Sequence, residues 1–233
     1  MIDHLYFSNN INDDFIFLGL SESKHYSKVM RNLPGSSTYV TDGIGNLYKC
    51  RYVSTKSNNV ILEINSIIKN YNKRTNYLHI AISPTKNIKR IEWFIEKAVE
   101  IGIDQVTFIK TEQSERKNIK LDRINRISIS AIKQSKSTFL PIINEMVNFS
   151  SFLSSSSENL KLIANAKNVN NHVSRQIDKT KTTCIVIGPE GGFTNNEIDL
   201  AKNQSFKSVS FGNSIMRTET AGVYACSIFN NAI

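Results

Sequence analysis

Two short stretches near the end of the chain hold the residues best suited to chemistry. Gly188-Pro189-Glu190-Gly191-Gly192 follows an apolar, β-branched run at 183–187, and Phe211-Gly212 closes the alternating run that begins at Lys207. Each is a glycine turn at the carboxyl end of a predicted strand, the place where an open α/β sheet binds its ligand. Glycine lets the backbone bend sharply there and bring free amides close to a small molecule. A plain crossover turn fits the 188–192 pattern equally well. The dinucleotide fingerprint and the Gly-Lys-Ser/Thr phosphate loop are both missing, so the turns locate a pocket without naming its ligand. Beyond the second turn, Arg217 and Glu219 flank Thr218, and on spacing alone they read as an ion pair at a helix start.

The elements that must position these residues follow from pattern. Thr194 with Glu197 has the form of a capping box and predicts a helix over 195–203. Thr218 is the expected N-cap of a last helix that turns Ala221, Tyr224, Ala225, Ile228 and Phe229 inward. Its small residues Ala221, Gly222 and Ala225 beside Tyr224 and Phe229 also make a face fit for close packing. Upstream, 77–83 reads as a strand, 88–101 as an amphipathic helix with Ile91, Phe94, Ile95, Ala98 and Val99 on its buried stripe, and 103–110 as the next strand. A basic helix over 122–136, an extended piece at 141–146, a serine-rich stretch at 150–158 anchored by Phe152-Leu153, and a strand over 160–166 follow. Residues 168–181 form a polar connection with a helical turn near Val173. This strand and helix alternation predicts an α/β domain with a parallel sheet.

Residues 1–70 lack that alternation. Strands are predicted over 15–20, 36–41, 46–54 and 59–64, with turns at Asp42-Gly43 and Asn58-Asn59. One helix, capped by Ser21 and running to Asn32, interrupts them, so the economical reading is a small β-barrel with a single helix. The basic, aperiodic stretch 67–76 is the linker, dividing the chain into domains 1–70 and 71–233.

Lys and Arg total 29 against 20 Asp and Glu, a formal net charge of +9. That balance favours a polyanionic partner, and nucleic acid over anionic membrane, because no helix joins a basic face to a Trp- or Phe-rich one. Cys50, Cys184 and Cys226 are few, odd in number and without metal-ligand spacing, so neither a disulfide framework nor a metal site is expected. With no signal segment and no membrane-length apolar run, a cytoplasmic protein is expected.

The motifs IGPEGGFTNNEI at 187–198 and FGNSIMRTETA at 211–221 resemble the paired C-terminal motifs of the ribosomal RNA small subunit methyltransferase E family, in the SPOUT class of knotted methyltransferases. The likeness extends over nearly the whole chain. It implies methylation of N3 of a uridine in the 16S ribosomal RNA of the small subunit with S-adenosylmethionine, a PUA-like barrel before the α/β domain, a C-terminal trefoil knot and a homodimer. The two turns would hold the cofactor through Ile187, Gly188, Glu190, Gly191, Phe211, Gly212, Ile215 and Met216, with Asn165 at the end of the preceding strand as a further wall. RNA would meet His25 and Arg31, matched within a His, Val-Met-Arg pattern in the first domain. In the second it would meet Arg90 in KRIEWFIEKAVEIG and Arg116, Lys117 and Arg123 in and after a Ser-Glu-Arg loop. Gln134-Ser135 is similar to the family's Glu-Gln-Ser, with Lys133 for its Glu and Thr138 for a later Arg. For alkylation of a weakly acidic imide, Arg217 is the expected cation beside the uracil anion, and Glu219 either orients it or relays the proton. A non-catalytic RNA-binding assembly factor on the same fold is the alternative, and the intact glycine turns weigh against it.

Overall fold

The computed structural model describes residues 2–166 and 171–231. The chain divides into two compact units: residues 1–73 with 129–140, and residues 74–128 with 141–233. The first contains β1 (Leu5–Phe7), β2 (Ile11–Asn12), β3 (Phe15–Phe17), α1 (Leu20–Lys24), β4 (Ser37–Thr41), β5 (Leu47–Lys56) and β6 (Asn59–Ile68). They form one sheet in the order β1-β4-β5-β6-β3-β2, parallel between β1 and β4 and antiparallel elsewhere. Period-two alternation sends Tyr48, Cys50 and Tyr52 of β5 and Val60 and Leu62 of β6 into a core shared with Tyr6 and Tyr26. The β5–β6 turn lies at Ser57-Asn58, both at positive φ of 50° and 65°, one residue before the expected Asn58-Asn59.

The helix expected over 21–32 departs from its pattern. It starts at Leu20 behind Gly19, with no side-chain cap, so Ser21 is inside the helix and not its cap. From His25 to Val29 the backbone widens into a π-turn, and Arg31 leaves it at φ 52°. The Ser27 hydroxyl donates to the Ser23 carbonyl four residues back, and Met30 N reaches His25 O five residues back, which marks the wider turn. Residues 129–140 complete this unit. Lys133 pairs with Glu22, and Thr138 Oγ1 donates to Tyr71 O at 2.8 Å, so both departures from the family motif are used in internal contacts.

The second unit runs through β7 (Tyr77–Ile82), α2 (Ile88–Ile101), β8 (Gln105–Lys110), the start of α3 (Leu121–Ser135), β9 (Ile142–Asn148), α4 (Phe149–Ser155), β10 (Leu160–Ala164), β11 (Thr182–Ile187), α5 (Asn195–Asn203), β12 (Lys207–Val209) and α6 (Thr218–Asn231). Its sheet has the order β12-β10-β11-β7-β8-β9 with every pairing parallel. Near-continuous apolar strands such as β11, TTCIVI, are what a parallel sheet covered on both faces requires. Ala81, Ile163 and Val186 pack under α4 and α5 through Phe149, Phe152 and Ala201. On the opposite face α6 lies against α2, so close that a Cβ at Gly222 would stand 2.5 Å from the Phe94 ring. The small-residue face of α6, with Ala221, Gly222, Ala225 and Phe229 all buried, is therefore used inside the chain. The serine-rich stretch holds α4, which the sequence reading lacked: Phe149, Phe152 and Leu153 recur at helical spacing and are buried.

Candidate active site

The strand ends predicted to carry the ligand turns meet. β10, β11 and β12 are neighbours and parallel, so Asn165, Gly188 and Phe211-Gly212 emerge at one edge of the sheet. They border a cavity of about 130 Å³ with Ile187, Glu190, Ile215, Met216, Thr218 and Ala221 on its walls. Of the nine residues expected to hold a cofactor, Gly191 alone is outside that lining, and a Cβ there would meet Gln113 at 3.2 Å. Gly212 has φ 120°, a conformation open to glycine at little cost, and a Cβ there would meet nothing within 4 Å. The enclosed volume is below that of a drug-sized pocket, and the mouth carries Ile215, 88% exposed.

Hydrogen bonds between loops fix this edge. Thr218 Oγ1 donates to Gly188 O at 2.9 Å, tying the start of α6 to the first turn. Thr218 is thus not the N-cap; Arg217 O accepts from Ala221 N at 2.8 Å and closes the first helical turn. At α5 the capping box is complete, and the buried Glu197 also accepts from Glu112 N at 2.9 Å. Ser83 N donates to Ile187 O at 2.9 Å, and Lys86 N to Glu190 Oε1 at 3.2 Å. Arg116 is a staple for the same edge: its Nε donates to Thr85 O at 3.1 Å and its Nη2 to Lys86 O at 2.6 Å.

Arg217 sits between Met216 and Thr218, both of which line the cavity, and it is exposed. Glu219 is 6% exposed, and its nearest cation is Arg90, with Nε 3.6 Å from Oε1. Among the described residues, Glu219 Oε2 has no hydrogen-bond partner and Arg217 has no ion pair. The helix-start ion pair of Arg217 with Glu219 read from the sequence is not formed; Glu219 of α6 pairs instead with Arg90 of α2.

A family model described as an RNA methyltransferase domain matches residues 72–230. Ribosomal RNA small subunit methyltransferase E of Mesomycoplasma hyopneumoniae is 30% identical over 167 residues, covering 70% of this chain and 73% of that one. The chain belongs to this family. The Aquifex aeolicus member is 27% identical over 239 aligned positions, covering 98% of this chain and 99% of its own. Among solved structures, a probable rRNA-methyltransferase from Porphyromonas gingivalis superposes with a TM-score of 0.89 at 33% identity, over 96% of this chain and 95% of that one. The Neisseria gonorrhoeae family member, solved bound to S-adenosyl methionine, shares the fold at a TM-score of 0.87 and 23% identity, over 96% and 95%.

Within this family member, the residues expected to meet RNA fall in different settings. His25 opens the π-turn and its ring lies 6.0 Å from that of Tyr6, while Arg31 holds the strained end of the turn. Arg123 is clamped by Glu92, with Nη2 to Oε2 at 2.7 Å; the hydrogen bond and charge of Arg123 hold the Glu92 carboxyl below its ordinary range. Lys117 is exposed and has no ion pair among the described residues. Arg90 and Arg116 are partly covered by the contacts above.

Two groupings had no signal in the sequence. His172 takes Ser174 N on Nδ1 at 3.3 Å and faces the Tyr224 hydroxyl with Nε2 at 3.4 Å. Tyr224 in turn packs on Phe211, a wall of the cavity, at 5.8 Å. Beneath α4, His79 bonds Glu158 through Nδ1 and Thr107 Oγ1 through Nε2 at 2.8 Å. Cys184, the register partner of His79 on β11, completes a set whose donor atoms lie within 4.8 Å of one another. Burial raises Glu158, but hydrogen bonds from His79 and Ser156 and the His79 charge outweigh it and hold the carboxyl at about 2. Burial pushes the Cys184 thiol well up.

Proposed function

We propose that this protein methylates N3 of a uridine in the 16S ribosomal RNA of the small ribosomal subunit, using S-adenosylmethionine. The observation that carries the reading is the single cleft built by two glycine turns, with Arg217 beside it, in a chain of this family. The residues present fit the cofactor. Ile187, Phe211, Met216 and Ala221 give apolar walls, Gly188 and Gly212 bring backbone to the cavity, and the space at Gly212 would admit a Cβ and so also admits a ligand atom. When bound, S-adenosylmethionine supplies an electrophilic methyl on a positively charged sulfur.

The rest is the work of the chain. The imide N–H of uracil must lose its proton before nitrogen can attack, and the proton leaves to solvent or a base while the methyl passes from sulfur to N3. Arg217 cannot readily give up its own proton, and as a fixed cation it lowers the cost of the uracil anion. Glu219 acts through position: buried and paired with Arg90, it fixes the start of α6 from which Arg217 projects. Alignment of base and methyl then does most of the remaining catalysis.

The family supports a PUA-like barrel for residues 1–70, a SPOUT domain for 71–233 with a C-terminal trefoil knot, a cytoplasmic setting and a homodimer in which a second copy covers the exposed Ile215. No helix among the described residues is long and apolar enough to cross a membrane. The test is transfer of labelled methyl to unmodified small subunits, free 16S RNA and transfer RNA, with the product nucleoside read by mass spectrometry. N3-methyluridine in the small-subunit RNA is expected; label in transfer RNA alone, or in another nucleoside, overturns the reading.

A further inference from the structure

A second cavity, of about 370 Å³, opens in the α/β unit between the start of α2 and the loop that enters α3. Ile88 and the buried Ile124 form an apolar floor, while Lys89, Lys120 and Arg123 stand round it with Glu92. Glu92 and Arg123 neutralise each other, and among the described residues neither Lys89 nor Lys120 has an ion pair. The net character is therefore three cations without an ion pair among the described residues, Lys89, Lys120 and Arg116, over a hydrophobic floor. An apolar patch beside phosphate-seeking cations offers a splayed-out nucleotide a surface on which to bury its base and charge for its phosphate. A phosphate ion would leave the floor unused, and an apolar ligand would leave the lysines unused.

A neighbouring cavity of about 280 Å³, lined by Lys110, Lys117, Glu145 and Asn148 and so carrying one net positive charge, shares the wall residue Asn118 with the first. Two basic cavities that share a wall suit a strand continuing from one to the next, whereas a free nucleotide would need only one. The Asn118 carboxamide, able both to donate and to accept, stands where a base edge would pass between them. Arg116, also on the rim, is fixed to the backbone of residues 85 and 86, so the rim is ordered in advance of binding.

We infer that the Ile88–Ile124 cavity holds one splayed nucleotide of the RNA substrate, distinct from the uridine that is methylated, with its base on the isoleucines and its phosphate on Lys89 and Lys120. The inference rests on the proposed function and adds an anchoring subsite that acts on affinity, not on the chemical step. The probe is a pool of small-subunit RNA fragments containing the methyl-acceptor uridine, each lacking one base at random, sorted by retention on the protein. Base loss at one position other than the acceptor should weaken wild-type binding on the order of tenfold. Ile88→Trp, which fills the cavity without changing charge, should weaken binding of intact RNA similarly and abolish the penalty at that one position, with S-adenosylmethionine affinity and turnover at saturating RNA kept. Additive effects of Ile88→Trp and base loss at every position would overturn the subsite while leaving the methylation reading intact. If wild-type protein does not retain the fragments yet methylates intact small subunits, the subsite falls and the methylation reading stands; if it methylates neither, both fall. Circular dichroism and cofactor titration of Ile88→Trp establish that it is folded, and Lys89→Ala with Lys120→Ala, both exposed, should give the same loss of retention without touching the floor.

Discussion

At the scale of single residues, Arg217 and Glu219 differ in how they meet their surroundings, and this separates their predicted effects. Arg217 is exposed beside the cleft and Glu219 is buried against Arg90. Arg217→Ala should lower turnover at saturating RNA on the order of a hundredfold, with little change in RNA or cofactor affinity; normal turnover would remove Arg217 from the chemistry. Glu158 offers a test of stability in place of catalysis. Its folded carboxyl titrates at about 2 against about 4.3 for a free glutamate, so its contribution is complete above pH ~5 and is lost as pH falls from there towards 2. Urea unfolding should show a loss on the order of 2 to 3 kcal/mol across that window, and Glu158→Gln should flatten it. The MRTETA motif draws attention to Arg217, and its place between the cavity-lining Met216 and Thr218 follows directly from chain order. The His79–Glu158 pair was not legible in the sequence, because the two residues are 79 positions apart and only strand order brings them together.

At the scale of elements, the sequence spoke clearly wherever one residue's chemistry decides a local shape. The capping box at Thr194 and Glu197 and the stripe of α2 are both present as read. Legibility failed where tertiary contacts decide. Thr218 has a good capping side chain, yet its hydroxyl goes to Gly188 O, a residue 30 positions away. The π-turn at His25–Val29 has no periodic signature distinct from that of an ordinary helix. Residues 150–158 read as serine-rich because two apolar anchors in a polar stretch weigh little on composition, although with Phe149 just before them the spacing is helical. Gly222 gives the sharpest test at this scale. Its missing side chain lets α6 approach α2, and a methyl there would meet the Phe94 ring at 2.5 Å. Gly222→Ala gains helix propensity but overpacks a closed interface, and should destabilise by about 1 to 3 kcal/mol. Phe94→Leu in the same chain should recover part of that loss. An unchanged urea midpoint for Gly222→Ala would show that the two helices separate without cost.

For the whole molecule, charge and assembly remain. The small-residue face of α6 is buried within the chain, so the proposed homodimer needs a different surface. Ile215, 88% exposed at the mouth of the cleft, is the residue a partner would cover. Sedimentation should give twice the chain mass at micromolar concentration, and Ile215→Asp should shift it towards the single chain. The excess of nine positive charges makes a separate prediction about RNA. Each phosphate neutralised by a lysine or arginine releases counterions, so affinity should fall linearly with salt on logarithmic axes. Lys117 is exposed with no ion pair among the described residues, whereas Arg123 is already matched by Glu92. Lys117→Ala should therefore reduce the salt slope by about one and leave cofactor affinity unchanged. Arg123→Ala exposes the unmatched Glu92 carboxylate to the RNA as well, so its loss of affinity should exceed that of Lys117→Ala at low salt and converge with it as salt screens the added repulsion. Parallel curves for the two variants at every salt concentration would mean that Glu92 does not face the RNA, and would place the contact surface away from α2.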